Sequence, residues 1–151
     1  MEERRWVFLA DPSDYGWNEL VRDARTVWDG IKGAQAQRNL AQCGAGDPVL
    51  IYHTSPDKAL VGTARVSGGP RPDPKFPERV VVDLEPVLQL RRPLGIAELR
   101  DDGVLSQAGF VKIQRVAVQP ISLAHWDRVM EKTGTDPGAA LATDAAEAGG
   151  P

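Results

Sequence analysis

The feature that most constrains this chain is the run Pro48–His53 (PVLIYH). It is continuously apolar, rich in β-formers and only six residues long. Such a run reads as a buried strand. Ser55-Pro56-Asp57-Lys58 follows with turn chemistry. Ala59–Ser67 (ALVGTARVS) is then a second strand, and the two make a hairpin. Gly62 inside that strand predicts a bulge or a close backbone approach. Arg79–Leu90 is a third, longer strand, with a bend or an edge position at Pro86.

The flanks complete the pattern. Arg5–Ala10 (RWVFLA) reads as a first strand stopped by Asp11-Pro12. Asp14–Arg25 and Ala34–Cys43 carry short helical apolar faces, with Trp28 in a loop between them. Gly68–Glu78 reads as an irregular loop, Leu94–Leu99 as one or two helical turns, and Val116–Gln119 as a closing strand. A last helix starts at the N-cap Ser122 and stops at Gly134. The order β-α-α-β-β-β-α-β-α predicts an α+β fold: a small mixed β-barrel with short flanking helices. Residues 1–134 form one domain, and 135–151, an Ala/Gly-rich stretch without periodicity, are expected to be disordered or weakly ordered.

Charge and cysteine content narrow the function classes. Net charge is −3, and Asp136, Asp144 and Glu147 beyond Thr133 account for all of it, leaving residues 1–132 neutral. A neutral body does not coat polyanions through its bulk field. Any nucleic-acid contact must come from a local basic rim and a specific pocket. The single cysteine, Cys43, has no internal partner, which points to packing and to a reducing, cytoplasmic compartment. The start Met1-Glu2-Glu3-Arg4-Arg5 mixes both signs and does not read as a signal peptide, and no apolar run is long enough for a membrane span. No zinc-ligand spacing, paired cysteines or nucleophile elbow is present. No catalytic residue, metal or cofactor is therefore expected.

Seven blocks then carry a resemblance. They are Trp6-Val7-Phe8-Leu9 with Asp11-Pro12 and Tyr15-Gly16-Trp17; Thr26 to Lys32 (TVWDGIK); Gly46 to Thr54 (GDPVLIYHT); Leu60 to Val66 (LVGTARV); Pro72-Asp73-Pro74; Val81-Val82-Asp83-Leu84; and Arg115 to Pro120 (RVAVQP). In this order and spacing, over about Arg5 to Lys132, the chain resembles the EVE domain family of the PUA-like superfamily. The resemblance implies a fold related to YTH and ASCH domains and recognition of a modified base, such as a modified cytosine, in an aromatic-lined pocket. It departs from many members at Ala10-Asp11-Pro12 (Ser-Glu-Pro), Gly33-Ala34 (Asn-Tyr) and Lys112 (Arg).

A flipped base needs aromatic faces to stack on and polar groups around its rim. Trp28 is the leading stacking candidate, with Tyr52 and Trp17 as further aromatics. His53, Thr54, Gln35 and Asp11 are candidates for the base edge. Gly33 permits close backbone approach, and Lys32, Lys112 and Arg115 are candidate phosphate contacts. Tyr52 and His53, as strand neighbours, point to opposite sides. The expected partner is DNA or RNA with modified bases. The alternative is a pocket for a small nucleotide-like ligand without polymer binding.

Overall fold

The computed structural model describes residues 4–141. The readings made for Met1–Glu3 and for residues 142–151 fall outside the described residues. The elements are β1 (Trp6–Ala10), α1 (Trp17–Asp23), β2 (Thr26–Trp28), α2 (Ala34–Leu40), β3 (Pro48–His53), β4 (Ala59–Pro72) and β5 (Val80–Gly95). They continue with α3 (Ile96–Asp101), a 3-10 turn (Leu105–Gln107), α4 (Gly109–Lys112), β6 (Val118–Pro120), α5 (Leu123–Thr133) and α6 (Pro137–Leu141).

The strands form one mixed sheet in the order β2-β5-β4-β3-β1-β6, curled into a half-barrel. Only β1 and β3 run parallel, in the register Trp6 to Val49 through Ala10 to His53. The expected α+β barrel with flanking helices is the architecture found.

Period-two alternation explains the continuous apolar runs. Trp6, Phe8 and Ala10 point into one buried cluster with Val49 and Ile51, under α1 and α2. Val7, Leu9, Leu50 and Tyr52 point into another, packed by Leu99, Phe110, Trp126 and Met130. Helices cover both faces, so neither face of these strands needs polar residues.

Gly62 does both things its position predicts. The pairing register shifts around it, and a Cβ there would lie 2.5 Å from the Trp17 ring. The Trp17 ring therefore occupies the space over Gly62, and α1 sits close to the sheet. Pro86 falls beyond the last residue of β5 that β2 pairs, Leu84, and opposite a register shift in β4, where a missing N–H is tolerated. In α5, Ser122 Oγ accepts from the His125 backbone N–H at 3.1 Å, and Gly134 closes the helix at φ +68°. Buried Asp102 ties α5 to the turn before it. It accepts from the Val104 and Leu105 amides at 3.1 and 2.9 Å and from Arg128 at 2.7 Å.

Three expectations change. Thr26–Trp28 is not a loop but a short strand paired with Val82–Leu84. Ala24, in a left-handed conformation at φ +63°, ends α1 just before it. The Pro- and Gly-rich stretch after Ser67 stays in β4 to Pro72, because Arg71 and Pro72 still pair with Val81 and Val80. Residues 135–141 are built into the fold. Thr135 Oγ1 accepts from the Arg91 amide at 3.1 Å, and Thr63 Oγ1 donates to the Ala140 carbonyl at 3.0 Å. Among the described residues no helix is long and apolar enough to cross a membrane.

Candidate functional site

Where the sheet curls, its edge strand β2 approaches the C-terminal end of β1 and the residue ahead of β6. A cleft of about 900 Å3 opens there. That volume suits a small organic ligand. Its walls come from Leu9 and Ala10 of β1, Asp11, Asp14 and Tyr15 of the following loop, Arg25 to Ile31 around β2, Asp83 of β5, and Ala117.

Trp28 is its central aromatic. The indole is 7% exposed and packs against Phe8 (centroids 5.8 Å apart, 35° between planes) and edge-on against Tyr15 (6.2 Å, 82°). Its Nε1–H is buried and finds no hydrogen-bond partner among the described residues. Unpaired buried donors are uncommon in folded proteins and costly. Tyr15 is held in place by donating its hydroxyl to Asp23 at 2.7 Å, and partial burial pushes that hydroxyl's pKa up.

The cleft is acidic. Asp11, Asp14, Asp29 and Asp83 line it against one cation, Arg25. Asp83 is occupied by a two-pronged contact with Arg71 at 2.8 and 2.9 Å and by Arg25 at 3.4 Å. Asp11 accepts from both the Ser13 hydroxyl (2.6 Å) and amide (2.9 Å), which hold its carboxyl below the usual range. The arrangement offers a flat apolar wall beside hydrogen-bond acceptors. It therefore suits a planar ligand carrying N–H donors.

Of the residues singled out in the sequence, Trp28 and Asp11 line this cleft. Lys32 and Gly33 are exposed just past its Ile31 wall, and Gly33 is the N-cap of α2. Arg115 is exposed two residues before Ala117, and Lys112 is exposed at the end of α4.

The others are elsewhere. Tyr52 is a correction: it is 1% exposed in the opposite cluster, edge-on to Phe110 and accepting from Gln114 at 3.2 Å. The alternation that places Phe8 toward Trp28 places Tyr52 away from it.

His53 is a second correction. Its Nε2 accepts from the Trp17 backbone N–H at 2.9 Å, and its Nδ1 faces Asp57 at 2.9 Å. Both ring nitrogens are used, so His53 anchors the start of α1 and has no edge left for a base. Trp17 is sealed beneath α1 against Gly62. Thr54 fastens the ends of β1 and β3 through its amide, 2.9 Å from the Ala10 carbonyl. Gln35 is exposed on α2, bonded to Asn39 and Arg38.

Sequence reasoning missed Tyr15, Asp14, Asp29 and Asp83. Tyr15 stood in the Tyr15-Gly16-Trp17 block, and Asp29 beside Trp28, so adjacency to the candidate was their available signal. Cys43 is 3% exposed, and burial pushes its thiol up to about 12, which makes it an inert core residue. Among the described residues no cluster of three or more His, Cys, Asp or Glu side chains is placed to hold a metal.

Comparison with known proteins locates this architecture. A search of curated proteins finds no match. Among solved structures, Rpa0253 from Rhodopseudomonas palustris is 25% identical, with 87% of this chain and 93% of that one covered, at a TM-score of 0.83. Atu2648 from Agrobacterium tumefaciens is 21% identical over 89% of this chain and 96% of its own, at 0.84. The human THYN1 protein, solved in complex with 5-methylcytosine-containing DNA, is 18% identical over 89% of this chain and 100% of its own, at 0.74. The model of the EVE domain matches residues 4–132, and the chain belongs to that family.

Proposed function

We propose that this chain is a non-enzymatic nucleic-acid-binding module that holds one base, a modified cytosine in the first instance, in the cleft walled by Trp28. The observation that carries this reading is the Trp28–Tyr15 aromatic pair set among carboxylates in a cleft of base-holding size. The complex of the THYN1 protein with 5-methylcytosine-containing DNA supports it at the level of the fold.

The chemistry follows from the lining. Stacking on one aromatic contributes roughly 1–3 kcal/mol. Cytosine presents its exocyclic amine as a donor, which matches the carboxylates of Asp11, Asp14 and Asp29. A ring methyl gains from Leu9, Val27 and Ile31, which line the same cleft. Burying one methyl-sized group is worth about 0.8 kcal/mol, or about fourfold in affinity. Lys32, one residue past Ile31, Arg115, two before Ala117, and Lys112 are exposed and are assigned to the phosphates of the strand, DNA or RNA. The buried thiol of Cys43 suits a reducing, cytoplasmic setting.

A second reading has its own support. Asp11, Asp14 and Asp29 line the cleft beside an Asp83 already paired with Arg71 and Arg25, and these carboxylates repel a polyanion at close range, which favours a free nucleoside or similar small ligand in the same cleft. Titration of the full chain with methylated and unmodified oligonucleotides, and with the free nucleosides, separates the two. The polymer reading expects the methylated oligonucleotide to bind most tightly, with salt-dependent affinity. Equal affinity for nucleoside and oligonucleotide, without salt dependence, favours the small ligand. Absence of binding to every form contradicts both.

A further inference from the structure

A second cleft, of about 810 Å3, lies at the other end of β1, and its charge is the reverse of the first. Arg4, Arg5 and His125 line it together with Trp6 and the amide side chains of Asn39 and Gln42. Among the described residues no Asp or Glu lines it. Arg4 and Arg5 are the charged side chains of this lining, in a chain whose net charge is −3.

The cationic side chains are positioned by the fold. The Arg5 guanidinium lies 5.1 Å from the centre of the fully buried Trp126 ring, a contact that fixes its place beside the cleft. Arg4 donates through Nη1 to the Gln42 backbone carbonyl at 2.8 Å. A guanidinium carries five N–H donors in a planar fork, suited to the oxygens of a phosphate. Asn39 donates to the Val118 carbonyl at 2.7 Å, which holds α2 against β6 and keeps that wall of the cleft fixed.

We propose that this cleft is a binding site for a phosphate group, independent of the base cleft and outside the family reading above. Two sources supply that chemistry: the backbone of a nucleic-acid strand, or a free phosphorylated small molecule. Spacing along β1 is compatible with the first. Trp6 lines one cleft and Leu9 the other. At a rise of 3.2–3.4 Å per residue, the two residues lie roughly 10 Å apart along β1.

The test uses the full chain, with inorganic phosphate, cytidine 5′-monophosphate and an unmodified single-stranded oligonucleotide as probes. NMR signals of the His125 ring, the Asn39 and Gln42 side-chain amides and the Trp6 indole report on this cleft, and the Trp28 indole reports on the other. Millimolar phosphate is expected to shift the first set and leave Trp28 in place. Arg4→Ala and Gln42→Glu both change exposed residues, and melting temperature checks that each still folds.

If the phosphate comes from a strand, both variants lower oligonucleotide affinity by about threefold to tenfold. Arg4→Ala also reduces the slope of log affinity against log salt by about one. If it comes from a small molecule, mononucleotide affinity falls and oligonucleotide affinity stays. The proposal is overturned if phosphate moves none of the first set and neither affinity changes in folded variants. The two readings fail separately. Loss of modified-base discrimination leaves the phosphate shifts standing, and a silent Arg4 cleft leaves base discrimination standing.

Discussion

Trp17 and Trp28 belong to the same buried cluster, and each is less than a tenth exposed, yet they sit in opposite situations. Trp17 is sealed: its ring lies where Gly62 lacks a Cβ, and its backbone amide is taken by His53. Trp28 packs against Phe8 and Tyr15 and lines a cleft, with its indole N–H unpaired among the described residues. Burial alone does not separate a structural aromatic from a binding one. What separates them is their surroundings: Trp28 lines a cleft, whereas the Trp17 ring fills the space over Gly62.

The largest expected effect is on the sealed side. Trp17→Ala should cost about 3–5 kcal/mol of stability, as a large aromatic removed from a packed core, measured by denaturant unfolding. Gly62→Ala should cost about 1–3 kcal/mol, because the new methyl must displace the indole. The two are coupled. In a Trp17→Ala background Gly62→Ala should be nearly free, and additive losses would show that the ring is not what Gly62 accommodates.

His53→Ala sharpens the contrast. It strands the Trp17 amide, a loss of about 1–3 kcal/mol, while the ranking of base ligands stays as in the parent. A changed ranking would return His53 to the binding site.

These residues also mark how far sequence reasoning reached. Pro48–His53, Ser122 and Gly134 were legible because strand runs and helix caps are written in adjacent residues. Gly62 was legible because a glycine inside a strand has few other uses. Strand β2 was not: three residues carry no periodicity, and their conformation comes from pairing with Val82–Leu84. The order of residues 135–141 was hidden for a similar reason, since it depends on Thr63 and Arg91, far away in the chain. In the site, Trp28 was legible as a tryptophan beside Asp29-Gly30. The role of His53 was not, because its partner is a backbone amide 36 positions earlier.

The sheet's other face supplies a smaller, pH-dependent effect. Hydrogen bonds from Arg128, and then from the Leu105 amide, hold the Asp102 carboxyl well below the usual carboxylate range. Its folded-state pKa is depressed. Its contribution is therefore present above the unfolded value near 3.9 and is lost as pH falls below it toward the folded value. Denaturant midpoints at neutral pH and near pH 3 should converge in Asp102→Asn relative to the parent. An unchanged acid dependence would show that other carboxylates carry it.

On the proposed function, Trp28 and not Trp17 meets the ligand. The chain has four tryptophans, so four indole N–H signals can be followed by NMR, with Trp28 assigned from Trp28→Phe. On titration with the methylated-cytosine oligonucleotide, a large shift of the Trp28 signal and a stationary Trp17 signal are expected. Trp28→Ala is expected to weaken binding by roughly 1–3 kcal/mol. Binding with an unmoved Trp28 signal, and with unchanged affinity in Trp28→Ala, would contradict it.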